Sequence, residues 1–265
     1  MKRPVDALPA VLDHLDEFET RLAGRRPVVF LDFDGTLAAI ADRPDQVALS
    51  ASMRETLRRL AQRVRVAVVS GRDRDDVESL VGIEGIVYAG NHGFDIAGGG
   101  VPGFAHRVGQ DHVELMEAIG ERLSAELADV PGVLIELKRV SIAVHFRNVA
   151  KNDVAAVERA VADFRAAHPK FRVMSGRKVF EILPPVEWDK GRAVLWLLEV
   201  LELDSPDVVP IYIGDDVTDE DAFEALLGRG IGICVADGAQ ERGPTAADFR
   251  VRDSAEVERF LAGLA

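Results

Sequence analysis

Apolar residues follow two rhythms along this chain, and the rhythms alternate. Short unbroken apolar runs at 28–32 (VVFLD), 64–70 (VRVAVVS), 85–90, 208–213 and 231–235 read as strands buried on both faces. Between them, apolar residues recur every three or four positions. Met53, Leu57 and Leu60 share one face of a helix predicted over 51–62, and further helices are predicted over 72–81, 189–201, 218–227 and 254–263. A last short strand is predicted at 248–251. Such alternation implies a parallel sheet covered on both faces by helices. An amphipathic helix is predicted to lead in over 6–22, on Leu8, Val11, Leu12, Leu15, Phe18 and Leu22.

The rhythm changes after the glycine-rich stretch 98–103. Helices are predicted over 110–128 and 152–167, two strands within 133–146, and two more near 171–174 and 178–183. An αββαββ order is that of a small sheet with helices on one face. Beyond Pro184 and Pro185 the first rhythm resumes. The expected architecture is therefore α/β: a Rossmann-like parallel-sheet core from residues 1–105 and 186–265, interrupted by an inserted α+β (αββαββ) domain over 106–185. Charge separates the same regions. Residues 106–182 carry 12 Lys/Arg against 11 Asp/Glu, a net of +1, while the rest of the chain carries 20 against 34, a net of −14.

The 265 residues, 48% hydrophobic and 29% charged, have the balance of a globular protein. The net charge of −13 argues against a nucleic-acid partner, although local charge can still favour a small anionic substrate. No apolar run approaches the roughly 20 residues that span a bilayer, so no membrane association is expected. Asp6, Asp13 and Asp16 interrupt what would otherwise be the region of a signal peptide. The 27 residues before Val28 are too few for a further domain and are expected either to pack against the core or to form a helical extension. The single cysteine, Cys234 in GIGICVA, is expected in a buried strand, and one cysteine without an internal disulfide fits a reducing cytoplasm.

Ligands of open parallel sheets bind outside the carboxyl ends of the strands. At those ends stand Asp32 and Asp34 in VVFLDFDGTL, Ser70-Gly71-Arg72, and Gly214-Asp215-Asp216, while WDKGRA supplies Lys190 at a helix start. Carboxylates so gathered repel one another and are costly to bury unpaired. A divalent cation resolves the conflict, and Mg²⁺ suits an all-oxygen site that works on phosphate. Lysine and a small hydroxyl beside it are what a transferring phosphoryl group needs.

These motifs resemble, in order, the four of haloacid-dehalogenase-type phosphatases: Asp32-Phe33-Asp34-Gly35-Thr36-Leu37, Ser70, Lys190, and Gly214-Asp215-Asp216. The resemblance implies that Asp32 attacks phosphorus to form an aspartyl-phosphate, and that Asp34 protonates the leaving alcohol and then activates water. It implies Mg²⁺ held by Asp32, Asp215 and the Asp34 backbone carbonyl, with Ser70 and Lys190 on the phosphoryl oxygens. Asp216 and Asp219 are either close to the metal or orient neighbours, and Asp219 also suits a helix N-terminus.

The resemblance narrows to trehalose-6-phosphate phosphatases through VSGR, AGNHG, IELKRVSIAVHFRN, SGRKVFEILPPVEWDKGRA and IYIGDDVTDEDAF, which together span nearly everything from 28 to 251. It implies a trehalose-forming sugar-phosphate hydrolase whose inserted domain is a cap, with a trehalose-phosphate synthase as a pathway partner. Glu136 and Lys138, two apart on a strand, share a face. The resemblance puts them with Glu181, and with Arg177 or Lys178, on the glucose distal to the phosphate. Gly71, Arg72, Asn91, His92 and Arg147 are further substrate candidates. His92 is alternatively a turn residue, His145 a support for the sheet, and Arg147 a surface ion-pair partner. Rival readings are a phosphatase for sucrose phosphate, mannosyl-phosphoglycerate or a monosaccharide phosphate, a phospho-accepting regulatory domain, and a noncatalytic sugar-phosphate binder. The last is disfavoured because Asp32 and Asp34 are both present.

Overall fold

The computed structural model describes residues 2–41, 43–176, 178–236 and 243–265. Its strands are β1 (Arg26–Leu31), β2 (Arg65–Val69), β3 (Val87–Gly90), β4 (Asp95–Gly98), β5 (Ala105–Arg107), β6 (Leu134–Leu137), β7 (Ile142–His145), β8 (Arg172–Gly176), β9 (Val179–Leu183), β10 (Val208–Gly214), β11 (Ile231–Val235) and β12 (Phe249–Val251). Its α-helices are α1 (Leu15–Leu22), α2 (Ala51–Ala61), α3 (Arg74–Val81), α4 (Val113–Glu126), α5 (Val154–Ala167), α6 (Lys190–Val200), α7 (Glu220–Ala225) and α8 (Ser254–Leu264). Residues Met1–His106 and Trp188–Ala265 form one compact unit, and Arg107–Glu187 a second.

In the first unit an eight-stranded sheet runs β12-β11-β10-β1-β2-β3-β4-β5. The six strands from β12 to β3 are parallel, and β4 pairs antiparallel with β3. The chain leaves β1 towards β2 on one side and returns through β10 on the other, so strand order reverses beside β1. That reversal opens the crevice in which α/β sheets bind ligands. Both faces of β1 are buried. Val29 and Leu31 pack with Phe18, Met53, Leu57, Leu60, Val77 and Phe260. Val28 and Phe30 pack with Val194, Leu197 and Phe223 on the opposite face. Truncating a fully buried ring such as Phe30 to alanine would cost about 3–5 kcal/mol. Cys234 lies in the second of these layers, fully buried, as its strand pattern implies. Ser50 caps α2 by accepting from the Met53 N–H (3.1 Å), and Asp189 caps α6 by accepting from Arg192 (2.8 Å). Each cap of this kind is worth about 1 kcal/mol.

The N-terminus departs from expectation. The single helix predicted over 6–22 is instead two 3₁₀ turns, Val5–Ala7 and Val11–Asp13, followed by α1. Pro9 is the reason: it forces Leu8 extended (φ −80°, ψ 139°) and donates no N–H to a continuing helix. Leu8, Val11 and Phe18 still bury from this broken path, whereas Leu15 is exposed. Strands β4 and β5 are additions that the glycine-rich run at 98–103 hides in the sequence.

The second unit holds a four-stranded antiparallel sheet, β6-β7-β9-β8. Ile135, Ile142, Val144, Phe180 and Ile182 of one face pack with Met116, Ile119 and Leu123 of α4 and Val157, Val161 and Phe164 of α5. Alternation turns the intervening residues to the other face. Among the described residues, no helix is long and apolar enough to cross a membrane.

Candidate active site

Asp32 directly follows β1, with its N–H bonded to the Ile213 carbonyl of β10 (2.9 Å), and is 4% exposed. Its Oδ1 accepts from Lys190 Nζ at 2.7 Å. Lys190 opens α6, is 2% exposed, and donates at 2.7 Å to Asp219 Oδ1 as well. The Tyr212 hydroxyl of β10 donates to that same Asp219 oxygen at 2.7 Å. A fully buried chain of hydrogen bonds thus runs Tyr212–Asp219–Lys190–Asp32. Burial opposes a charged Lys190, yet the Asp219 and Asp32 carboxylates outweigh it and push its pKa well above the usual lysine range. Burial, reinforced by Asp219 and Asp215 against the pull of Lys190, pushes the Asp32 carboxyl well above the usual carboxylate range. Asp32 therefore wants more positive charge than Lys190 alone supplies.

The donor set is suited to provide it. Among the described residues, carboxylate oxygens of Asp32, Asp215 and Asp219 come within 4.8 Å of one another. Asp219 is already committed: Oδ1 to Tyr212 and Lys190, and Oδ2 to the Asp216 N–H (2.8 Å). A hard cation fits this all-oxygen cluster, and Asp32 and Asp215 are the carboxylates that would hold it. Asp215 folds closely over the turn after Asp34. A Cβ on Gly35, whose φ is +82°, would lie 2.1 Å from Asp215 Oδ2, so only glycine fits both the conformation and the contact. Thr36 Oγ1 donates to Asp215 Oδ1 at 3.3 Å. Asp216 is exposed and shares a reciprocal capping box with Asp219 at the start of the 217–219 turn. Asp219 thus lies in the acidic cluster and is bonded to Lys190, Tyr212 and the Asp216 N–H.

Asp34 is half-buried and meets Arg72 as a two-pronged fork, Nε to Oδ2 at 2.7 Å and Nη2 to Oδ1 at 2.8 Å. Arg72 also donates to Asp76 (2.8 Å), and its guanidinium lies 5.4 Å from the Phe33 ring centroid. Burial opposes its charge, but Asp34 and Asp76 outweigh that and raise its pKa. Ser70 is buried, and its Oγ accepts from the Arg72 N–H (3.1 Å). The Ser70 carbonyl accepts from the His92 N–H (2.8 Å), and the Arg72 carbonyl from the Asn91 N–H (2.7 Å). Asn91 Nδ2 donates to Asp73 at 2.6 Å. The His92 ring lies against Gly71, where a Cβ would come within 2.9 Å of it. The loops after β2 and β3 are thereby one bonded assembly.

In the second unit, register aligns Glu136 with Ala143 and Ala143 with Glu181, so both glutamates share the sheet face away from the helices. Lys138 Nζ and Ser141 Oγ each donate to Glu181 Oε1 at 2.9 Å. His145 Nε2 lies 2.8 Å from Glu136 Oε2. That bond, aided by Lys138, outweighs burial and lowers the Glu136 pKa. Lys178 sits apart from these pairs, in the β8–β9 turn at φ +61°, with its ammonium 5.6 Å from the Phe146 ring centroid. Arg147 is exposed beyond the end of β7. Arg177 lies outside the described residues.

Sequence reasoning did not single out Tyr212, Ser141 or Trp188, whose indole Nε1 donates to the Gly93 carbonyl at 2.8 Å. For Tyr212 a signal existed: a phenol inside the apolar strand PIYIG must find a buried acceptor.

The fold recurs in solved structures. A haloacid dehalogenase-like hydrolase from Bacteroides thetaiotaomicron superposes with a TM-score of 0.64 over 91% of this chain and 100% of that one, at 17% identity. The C-terminal domain of Candida albicans trehalose-6-phosphate phosphatase superposes with a TM-score of 0.79 over 97% and 99%, at 22% identity. The architecture is that of the haloacid-dehalogenase-like hydrolases, as the motifs imply. The sequence profile of the trehalose-phosphatases matches residues 30–255. The trehalose-phosphate phosphatase of Mycobacterium avium is 42% identical over 99% of this chain and 68% of its own length, and that of Mycobacterium tuberculosis is 39% identical over 99% and 67%. This chain belongs to the trehalose-phosphatase family, and by that membership is a phosphatase.

Proposed function

We propose that the protein hydrolyses trehalose 6-phosphate to trehalose and inorganic phosphate through a phosphoryl group carried on Asp32, with Mg²⁺ as cofactor. The observation that carries this reading is the buried Lys190–Asp32 pair (2.7 Å) at the sheet's reversal point, beside Asp215 and the Arg72-held Asp34. An Asp32 oxygen attacks phosphorus as the bond from phosphorus to the sugar oxygen breaks, and Asp34 gives that oxygen its proton. Asp34 then takes a proton from the water that attacks phosphorus, and the Asp32 carboxylate departs. Lys190 and Ser70 steady the phosphoryl oxygens. A bound Mg²⁺ would neutralise charge there, held by Asp32, Asp215 and the Asp34 carbonyl.

Residues 106–185 act as the cap, and their charged sheet face chooses the leaving group: Glu136, Lys138 and Glu181 present acceptors and donors matched to sugar hydroxyls. Arg177 or Lys178, and Arg147, are the further candidates for contact with the sugar. A synthase making trehalose 6-phosphate would supply the substrate, in a reducing cytoplasm consistent with a lone buried cysteine. Purified protein with Mg²⁺ is expected to release phosphate from trehalose 6-phosphate far faster than from glucose 6-phosphate or sucrose 6-phosphate, and EDTA is expected to silence it. Equal rates across the three sugars would overturn the substrate assignment, and full activity in EDTA would overturn the metal.

A further inference from the structure

The turn after β3 carries three successive positive φ angles, Asn91 at 50°, His92 at 55° and Gly93 at 90°. Asparagine and histidine enter this left-handed region at a cost, and a run of such residues persists only where its surroundings over-determine it. Three of the holding bonds come from the neighbouring loop: Ser70 and Arg72 carbonyls on the His92 and Asn91 N–H groups, and Asp73 on the Asn91 amide. The fourth comes from 95 residues away, where Trp188 Nε1 donates to the Gly93 carbonyl at 2.8 Å. The turn is pressed against α6 as well, since a Cβ on Gly93 would lie 2.3 Å from Ala193 Cβ and 3.3 Å from Trp188 Nε1.

Trp188 is itself anchored. Its ring lies 5.5 Å from that of His106, which stacks on Trp196 of α6 at 4.1 Å and 16°, and Phe104 stacks on Trp196 at 5.9 Å. Both tryptophans of the chain therefore sit in one half-buried ring cluster. Trp188 is the first residue of the core unit after the chain returns from the second unit, and His106 the last before it leaves. Two residues after Trp188 comes Lys190. One indole thus ties the start of the lysine-bearing helix to the turn that seats His92 against Gly71.

We propose that Trp188 is a positioning residue, whose indole N–H fixes the Gly93 carbonyl and through it the His92 ring where the sugar phosphate binds. This rests on the reading above, in which His92 touches the substrate. Losing the donor leaves the Gly93 carbonyl without its indole partner and lets the strained turn relax, so substrate binding suffers more than chemistry.

Trp188→Phe keeps an aromatic ring beside His106 and deletes the donor. It is expected to raise KM for trehalose 6-phosphate about tenfold with kcat little changed, the scale of one lost buried hydrogen bond. Turnover of p-nitrophenyl phosphate, which lacks the sugar, is expected to stay at the wild-type level. His92→Ala is expected to raise KM similarly, and the double variant to be no worse than His92→Ala alone, because both changes remove one function. Additive effects on KM, or wild-type KM in either single variant, overturn the proposal. So does an equal loss towards both substrates, which marks general damage to the fold. A wild-type protein inert towards trehalose 6-phosphate overturns the functional reading together with this one; an active wild type with an additive cycle overturns only this one.

Discussion

The two units handle charge in opposite ways. At the edge of the large sheet, Asp32, Asp219 and Lys190 are almost wholly buried, and each bond in their chain is fixed by another buried group. On the four-stranded sheet, Glu136 pairs with His145 while its side chain stays 41% exposed, and Lys138 reaches Glu181 across the intervening β7 with both side chains largely buried. A buried network strengthens each of its bonds and punishes the loss of any member. The half-exposed Glu136–His145 pair is screened by water and contributes little. The first arrangement suits a reaction common to many phosphate esters, whereas at Glu136 one partner can be exchanged for another at small cost.

If that contrast holds, substitutions at the sheet edge should be far more damaging than those on the second unit. The largest effect is expected from Asp32→Asn, with phosphate release falling by roughly 10⁴-fold or more, as when a nucleophile is removed. Its fold should survive: burial disfavours the ionised Asp32, so the melting temperature of the metal-free variant is expected to match or exceed that of the wild type. A collapse in melting temperature would mean that Asp32 is a structural charge instead. Next comes Arg72→Lys. Lysine keeps the charge but cannot form the planar fork, so kcat on trehalose 6-phosphate is expected to fall about 10–100-fold. An aryl phosphate, whose leaving group needs no proton, should lose less, because only the water step still calls on Asp34. Equal losses on both would place the effect of Arg72 on a step the two substrates share rather than on protonation of the sugar oxygen.

How much of this the sequence carries depends on the range of the contact that makes each feature. Asp32, Ser70 and Asp215 were legible because each terminates an apolar run, and parallel strands bring their ends to one edge. The shared face of Glu136 and Lys138 followed from period-two alternation, but their alignment with Glu181 needed the register through Ala143. Tyr212 and Trp188 were hidden because their partners are set by tertiary packing: Trp188 meets Gly93 from 95 residues away. Asp219 resembled an ordinary helix-start aspartate, and it is one, through Asp216. Its second duty, holding Lys190, appears only once α6 and β10 are side by side. Arg72 followed a strand end as a substrate candidate would, and only the turn at Gly35 shows its guanidinium gripping Asp34. At the N-terminus, apolar periodicity suggests one helix, whereas Pro9 breaks it and Leu8, Val11 and Phe18 bury all the same.

On the second unit the expected effects are smaller. Ser141 is fully buried, and its hydroxyl holds Glu181 alongside Lys138. Ser141→Ala is expected to raise KM for trehalose 6-phosphate by a few fold, with kcat and aryl phosphate turnover unchanged, on the scale of one neutral hydrogen bond. A drop in kcat equal to that at the sheet edge would erase the distinction between the two regions.

The smallest effect is a matter of pH. The Glu136 carboxyl lies below its ordinary value of 4.5, chiefly through its bond to His145 and with help from Lys138. A carboxyl depressed by folding stabilises the native state at pH values above its unfolded pKa. That contribution fades as pH falls from about 4.5 through the lower folded value, where both states bind the proton. With the side chain 41% exposed, screening limits the gain to a few tenths of a kcal/mol. Glu136→Gln is therefore expected to be slightly less stable than the wild type at pH 6, with the gap closing as the medium is made strongly acidic. Urea melts at the two pH values would measure it. A gap of several kcal/mol at pH 6 would show that this pair is as tightly held as the buried lysine site, and the half-exposed face would then be rigid rather than open to exchange with a sugar.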